Sequence, residues 1–221
     1  MALVRNHIEK QYVILCEGID TVNFLIQYLN SKTLSYDQRF STEIQVFNFG
    51  GIDDLETFLR TLKAMESFDS ITRLLIIRDA ETSVERANSM IHNALGKSDL
   101  PVPTRCHLWT TEDTDIQTAY TLMPACCPEP TRGALEDLCW DILKDEHAYR
   151  MKKDIQEFVS QMTTKYNSIQ AHEHKSRLHS YFSVNEKLIS LKIGEAAKAG
   201  AFEWSSLKLQ SLKELLEQGF E

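Results

Sequence analysis

The segment at residues 73–79 constrains the fold more than any other part of the sequence. It reads Arg-Leu-Leu-Ile-Ile-Arg-Asp, so four consecutive apolar residues stand between charged ones. A short continuous apolar run of this kind is typical of a strand that is covered on both faces, as in a parallel sheet. We therefore predict a buried strand that ends at Asp79.

Strands and helices alternate around that segment. Apolar runs at 11–16 and 43–49 each precede a stretch with apolar residues at helical spacing, at 22–29 and 55–62, and a third helix is predicted at 83–95. Later strands are predicted at 105–109 and 120–123. This alternation predicts an α/β fold with a mostly parallel sheet flanked by helices.

The pattern changes near residue 125. Pro124, Pro128 and Pro130 mark a loop, and the remaining sequence predicts helices at 133–143, 145–165, 169–182, 185–197 and 205–218. We therefore divide the chain into an α/β core at 1–125 and a helical extension at 126–221 that packs on the core.

Composition excludes several classes of protein. The chain has 221 residues, of which 43% are hydrophobic and 25% charged, a balance typical of soluble globular proteins. It has no run of ~18 apolar residues and no apolar signal core at its start, so we expect a cytoplasmic protein without a membrane span. Five cysteines without metal-ligand spacing are expected to be free thiols, Cys126 and Cys127 among them.

The charge is distributed unevenly along the chain. The formal net charge is −8, which argues against a broad basic face that coats nucleic acid. Residues 1–143 carry a net charge of −9, residues 144–192 carry +3 with four histidines, and residues 193–221 carry −2. The basic stretch is where we expect contacts with phosphate groups.

Acidic residues stand just beyond the first and third predicted strands: Glu17 and Asp20 after the first, Asp79 and Glu81 after the third. Functional groups of open α/β sheets gather beyond the carboxyl ends of the strands. If these two strands are neighbours, the carboxylates converge and shift one another's pKa values. A divalent cation removes that repulsion, and hard oxygen ligands select Mg²⁺ or Mn²⁺.

Local roles for these acids remain open. Asp20 is also placed to cap a helix that begins near Thr21, and Glu81 or Thr82 to cap the helix after the third strand. Gly50 and Gly51 lie between the two acidic segments and leave room for the close approach of backbone or ligand.

The order of these motifs resembles the TOPRIM domain, the metal-binding module of topoisomerases, primases and OLD-type nucleases. Glu17 and Gly18 match the Glu-Gly after the first strand of that family, and Asp79 matches the first residue of its Asp-x-Asp pair. Residues 17–25 look like the Glu-Gly-x-Asp-Asp-x-x-Phe pattern of small stand-alone TOPRIM proteins. Residues 50–55 and 133–137 resemble their glycine turn and their Gly-x-Leu-Glu-Asp segment.

The resemblance implies roles for individual residues. Glu17 is implied as general acid or base and as a metal ligand, and Asp79 and Glu81 as ligands of the same metal. Asp20 and Glu136 are further candidate ligands, although Glu136 equally suits the first turn of a helix, whose amino end favours negative charge. The chain departs from the family pattern at two positions: Glu81 stands where a second aspartate is usual, and Thr21 stands where a second acid is often found. The number of metal ions in the site, one or two, is therefore left open.

Lys175 is the candidate cation. It lies at helical spacing from two histidines in the basic stretch, and a lysine steadies the phosphate in the OLD-type nucleases that the chain resembles. A solvated helix face is the alternative interpretation of Lys175.

These features predict a divalent-metal-dependent nuclease that hydrolyses phosphodiester bonds of DNA or RNA. The resemblance also implies work in a bacterial defence or mobile-element system, and the absence of a P-loop motif suggests an ATPase partner. A homodimer is left open. The alternative is a non-catalytic TOPRIM-fold interaction subunit of an ATPase-containing complex, because Glu81 and Thr21 depart from the family's metal-binding pattern. A phosphoacceptor receiver domain ranks last, because receivers carry a pair of acids after the first strand and this chain has the single Glu17.

Overall fold

The structure is a computed structural model. It describes residues 7–34, 42–51, 53–111, 114–124, 132–144, 148–166 and 172–220. Cys126 and Cys127 lie outside the described residues, whereas Cys16 and Cys139 are buried free thiols and Cys106 is also buried.

A four-stranded parallel sheet forms the centre of the molecule. Its strands are β1 (Tyr12–Glu17), β2 (Ile44–Gly50), β3 (Arg73–Asp79) and β4 (Gln117–Met123), in the spatial order β2-β1-β3-β4. β1 and β3 are hydrogen-bonded neighbours, and the last residues paired between them are Cys16 and Ile77. The two strands that precede the acidic segments therefore end side by side, as the sequence argument required.

Helices cover both faces of the sheet, because the inner strands are apolar on both faces. Helix α1 (Gly18–Leu29) packs its apolar side on the face that carries Ile14 and Leu75. Helices α2 (Leu55–Lys63) and α3 (Val84–Lys97) pack on the opposite face, which carries Leu15 and Ile76. Each strand thus sends alternate side chains into two separate apolar clusters.

The helical C-terminal part covers the same face of the sheet as α1. Its helices are α4 (Leu135–Asp141), α5 (Ala148–Lys165), α6 (Glu173–Val184), α7 (Ile193–Lys198) and α8 (Gln210–Phe220). Residues such as Leu178, Phe202 and Leu212 belong to the same buried cluster as Ile14 and Phe24. The helices after β4 and the sheet therefore share one apolar core.

The structure confirms the α/β fold with a parallel sheet, flanking helices and a helical C-terminal part. Two predicted elements are wrong. Residues 105–109 are not a strand: His107 has a left-handed φ of 60°, and its N–H bonds to the carbonyl of Tyr120 outside any regular ladder. The helix predicted at 185–197 begins only at Ile193, because Ser190 has a φ of 66° and interrupts the helical path.

No helix in the described part of the chain is both long enough and apolar enough to cross a membrane.

Candidate functional site

The adjacent ends of β1 and β3 place the candidate residues on two faces of the sheet. Glu17 lies one position beyond the Cys16–Ile77 pair, beside Arg78. Side chains alternate along a strand, so Glu17 and Arg78 point to the α2/α3 face and Asp79 points to the α1 face. The contact between Arg78 Nη2 and Met90 Sδ of α3, at 3.5 Å, agrees with this arrangement.

Glu17 has two partners on β3. The Nε of Arg78 lies 3.4 Å from Glu17 Oε2, an ion pair in which Arg78 is 1% exposed and Glu17 13% exposed. The backbone N–H of Asp79 donates to the same oxygen at 3.3 Å. Burial is the main cause that raises the pKa of Glu17, and the charge of Glu81 adds to it, while Arg78 and the Asp79 N–H oppose the shift.

Asp79 joins the sheet to the helical part. Its Oδ1 accepts the N–H of Leu135, the first residue of α4, at 3.0 Å. Burial raises the pKa of Asp79 well above its usual range, and the charges of Glu17 and Glu136 raise it further. A carboxyl group with this environment is a functional-site candidate, because its charged form is costly without a cation.

The charges of carboxylates from three elements act on the buried thiol of Cys139 on α4. Burial raises the pKa of Cys139 well above its usual value, and the charges of Glu136, Asp20 and Asp79 add to the shift. Asp20 lies in the first turn of α1, and its buried Oδ1 has no hydrogen-bond partner. A buried carboxylate oxygen without a donor is the kind of atom that a cation satisfies.

Glu81 has a left-handed backbone that a loop from the helical part holds in place. Its φ is 53°, a conformation that is uncommon for a residue of this type. Its N–H and C=O both bond to Gly133, at 2.8 Å each. Gly133 has a φ of 131°, and a Cβ atom there would lie 2.7 Å from Pro124 Cδ and 2.8 Å from Asp137 Oδ2, so only glycine fits.

Cations on α6 meet the first turn of α4. The Nζ of Lys175 lies 3.9 Å from Glu136 Oε1, and Arg177 Nη2 donates to Asp137 Oδ1 at 2.8 Å. The Arg177 guanidinium and the Lys152 ammonium also lie 5.8 Å and 5.4 Å from the ring centre of Trp140. Lys175 is 51% exposed, so its charge is accessible from solvent beside the carboxylates.

Three local predictions change in the structure. Asp20 is inside α1 rather than at its cap, because the helix begins at Gly18. Ser83, not Glu81, caps α3 by accepting the N–H of Arg86 at 3.2 Å. At the turn of Gly50 and Gly51 the close approach is made by a side chain of the chain itself: Asp54 Oδ2 accepts the Gly51 N–H at 2.8 Å and lies where a Cβ of residue 50 would be.

Arg78 is the residue of this centre that the sequence analysis did not single out. Its signal was visible: a lone basic residue ends an otherwise apolar strand just before the key aspartate. A buried charge at such a position needs a partner, and the nearest acid on the neighbouring strand is Glu17. Burial lowers the pKa of Arg78, while the charges of Glu17, Glu81 and Asp79 oppose that change.

The donor set suits a hard divalent cation, but it is not assembled as a finished coordination site. Among the described residues, no three His, Cys, Asp or Glu side chains are grouped so that they could hold a metal ion together. The carboxylates interact electrostatically, and Asp20 keeps a buried oxygen without a donor. Asp20, Asp79 and Glu136 are therefore candidate oxygen donors that do not form a three-ligand group in this structure.

Comparisons with known proteins place the chain at the level of a family. No curated protein and no solved structure matches it. The model of the DUF3226 family, which is described as a protein of unknown function, matches residues 11–221. That match covers nearly the whole chain, and the chain therefore belongs to the DUF3226 family.

Proposed function

We propose that the protein is a divalent-metal-dependent nuclease that hydrolyses phosphodiester bonds of DNA or RNA. The observation that carries the proposal is the position of Glu17 and Asp79 at the adjacent carboxyl ends of β1 and β3, where the Asp79 N–H donates to Glu17 and burial raises the pKa of both carboxyl groups. Ligand and catalytic groups of open α/β sheets lie at this edge.

Asp20, Asp79 and Glu136 would hold Mg²⁺ or Mn²⁺, with Glu81 as a further oxygen donor from the next loop. When bound, such an ion supplies charge neutralisation at a phosphate and lowers the pKa of water. The raised pKa of Asp79 supports this assignment, because a cation offsets the burial and repulsion that cause it.

Glu17 suits the role of general base. Its pKa is raised towards the range in which a carboxylate accepts a proton efficiently, and Arg78 and the Asp79 N–H fix its position. In the proposed step Glu17 takes a proton from water, the water oxygen attacks phosphorus, and the P–O bond to the leaving nucleotide breaks. The leaving oxygen then receives a proton from solvent.

Lys175 and Arg177 supply positive charge on the side of α4 and α6. Lys175 is half exposed beside Glu136, so its ammonium group is free to contact a phosphate oxygen of a bound strand. Lys152 lies over Trp140 from α5 and extends this positive region. The cations belong to the stretch with a net charge of +3, in an otherwise acidic chain.

The experiment is a cleavage assay with linear and circular DNA and with RNA, each in Mg²⁺, Mn²⁺ or EDTA. We expect metal-dependent cleavage that falls by ~10²-fold or more in Glu17→Gln and Asp79→Asn. Glu157→Gln is the matched control, because Glu157 is 62% exposed on α5. Cleavage that persists unchanged in both site variants contradicts the proposal, and cleavage of circular DNA identifies an endonuclease.

The second candidate is a non-catalytic interaction subunit of an ATPase-containing complex. The ion pair that already holds Glu17 and the lack of a ready three-ligand group in the described part of the chain favour it. A groove of about 820 Å³ between α5 and α6, in which Phe158 is 53% and Val184 60% exposed, also supports it, because exposed apolar surface is typical of protein-binding faces. This candidate predicts no cleavage and no thermal shift with any divalent ion.

A further inference from the structure

An apolar groove of about 820 Å³ lies between α5 and α6. Phe158 on α5 and Val184 on α6 line it, and these side chains are 53% and 60% exposed. Clustered exposed apolar side chains of this kind are typical of a face that binds another protein. The features of the two walls indicate which protein binds there.

The two walls differ in the size of their side chains. Helix α5 contributes large apolar residues, of which Phe158 is the most exposed. The wall of α6, here called the serine wall, contains Ser176, Ser180 and Ser183. The Ser183 hydroxyl donates to the carbonyl of His179 at 2.8 Å, so this donor is satisfied within the helix. A protruding aromatic residue and a wall of small residues are the two halves of a knob-into-hole contact between helices. Because Phe158 stays half exposed, the two halves do not fill each other within one chain.

The charges of the groove are also divided between its walls. Among the described residues that line it, only Asp154 on α5 and His179 on α6 are ionisable. The cations of the same helices are engaged on the side of α4, where Lys175 and Arg177 pair with acids and Lys152 lies over an aromatic ring. An acid and a base on opposite walls fit a copy of the same groove, whereas a strongly charged partner needs an excess of the opposite sign.

Two-fold symmetry satisfies both relationships at once. In a symmetric dimer, each contact between two different residues of the two copies is made twice, once in each direction. If α5 of each copy lies against α6 of the other, Phe158 meets the serine wall and Asp154 meets His179 in both directions. A second copy of the chain thus already carries the knob, the hole and both charges that the groove requires.

We propose that α5 and α6 form the interface of a symmetric dimer of this chain, in which Phe158 of each copy packs against the serine wall of the other. The four helices form a bundle, and the 18 residues of α5 give it a length of about 27 Å for the contact. Lys175 and Arg177, which face α4, remain outside the interface. The inference is independent of the nuclease function, because it rests only on the groove.

The first test is the oligomeric state of the full chain, measured by sedimentation equilibrium from about 1 to about 100 μM. We expect a dimer for the wild type and a dissociation constant raised by about 100-fold or more in Phe158→Glu, because a charge replaces the central knob. Leu207→Glu is the matched control and is expected to remain a dimer, since Leu207 is 87% exposed but does not line the groove. A dimer that Phe158→Glu leaves unchanged overturns the inference. A wild-type chain that is monomeric at every concentration also overturns it and leaves the groove to a different protein.

Val184→Glu, on the other wall, replaces Phe158→Glu if circular dichroism shows that the latter does not fold. Val184 is 60% exposed, so its substitution is expected to keep the fold and to weaken the dimer. A dimer that persists unchanged in the folded Val184→Glu variant overturns the inference in the same way.

The second test identifies which walls meet. His179→Glu places an acid opposite Asp154 of the other copy, and Asp154→Lys removes the attraction to His179, so each variant is expected to weaken its own dimer by about threefold to tenfold. In a mixture of the two variants, the introduced lysine meets the introduced glutamate, and the other contact remains the native pair. We therefore expect native mass spectrometry to show heterodimers in excess of their statistical share. Heterodimers at only the statistical share overturn the proposed contact of α5 with α6.

Discussion

The Oδ1 of Asp79 accepts the N–H of Leu135 at 3.0 Å and so joins the last residue of β3 to the first residue of α4. The first N–H groups of a helix have no partner within the helix, and the carboxylate satisfies one of them. The same contact brings Glu136 of α4 close enough to raise the pKa of Asp79. This hydrogen bond therefore links the first turn of α4 to the carboxyl edge of the sheet, within an apolar core that the helical part and the sheet already share.

Asp79→Asn is expected to stabilise the metal-free protein at neutral and alkaline pH. A raised pKa means that the folded protein binds the proton more tightly than the unfolded chain, so stability is lost as the pH rises through the folded pKa. Asparagine keeps an oxygen for the Leu135 N–H and removes the ionisation. We expect the free energy of unfolding at about pH 8 to rise by about 1 kcal/mol, and the gain to vanish near about pH 3.

Urea denaturation over a series of pH values measures this effect. Asp115→Asn makes the same chemical change at an exposed position and is expected to show no such pH-dependent gain. With Mn²⁺ present the order is expected to reverse, because the wild type gains stability from binding and Asp79→Asn gains less. A variant that is less stable than the wild type at alkaline pH contradicts the assigned cost of ionising Asp79.

Arg177 and Asp137 form the second link between the helical part and the site. Their 2.8 Å contact joins α6 to α4, with Arg177 19% and Asp137 24% exposed. Charge-assisted hydrogen bonds in such partly buried settings contribute more than exposed ion pairs. A double-mutant cycle with Arg177→Gln and Asp137→Asn is expected to give a coupling energy of about 1–2 kcal/mol in thermal or urea unfolding.

Arg60 and Glu56 on α2 provide the matched control for that cycle. Their contact is also 2.8 Å, but the side chains are 63% and 33% exposed. The same cycle there is expected to give a clearly smaller coupling energy, because solvent screens the contact and Glu56 also pairs with Lys97 at 2.9 Å. Equal coupling energies at the two sites would show that burial does not strengthen the Arg177–Asp137 contact.

The sequence predicted the fold better than the site, for a physical reason. Hydrophobic periodicity is a local property, and it identified β3 at its observed bounds and showed that strands and helices alternate. The electrostatic effect of Asp20, Asp79 and Glu136 on one thiol, that of Cys139, depends on packing between elements more than 50 residues apart in the chain. Because functional groups gather beyond the carboxyl ends of parallel strands, the sequence already predicted that Asp20 and Asp79 lie near each other. Only the structure shows that Arg78 lies beside Glu17.

Gly133 is expected to tolerate no side chain. Its φ of 131° is unfavourable for an L-residue, and a Cβ atom would collide with Pro124 and Asp137. We expect Gly133→Ala to lower the free energy of unfolding by about 2 kcal/mol or more, because Glu81 and Asp137 both lose their placement.

Gly96→Ala, in α3 with open space around it, is expected to stabilise the protein by up to about 1 kcal/mol. Opposite signs in urea unfolding confirm the prediction, and equal small effects contradict it.

Lys175→Gln is expected to lower the rate of cleavage while leaving the free energy of unfolding nearly unchanged. Lys175 is 51% exposed and 3.9 Å from Glu136, so its loss is expected to change the free energy of unfolding by less than about 0.5 kcal/mol. If its ammonium group contacts the phosphate in the transition state, cleavage falls by about tenfold or more, with kcat lowered more than KM is raised. Lys153→Gln on α5, where Lys153 is 68% exposed, is the control and is expected to leave kcat unchanged. An equal decrease of kcat in both variants would show that Lys175 is only part of a general positive surface. A decrease of kcat confined to Lys175→Gln assigns Lys175 to the site beside Glu136.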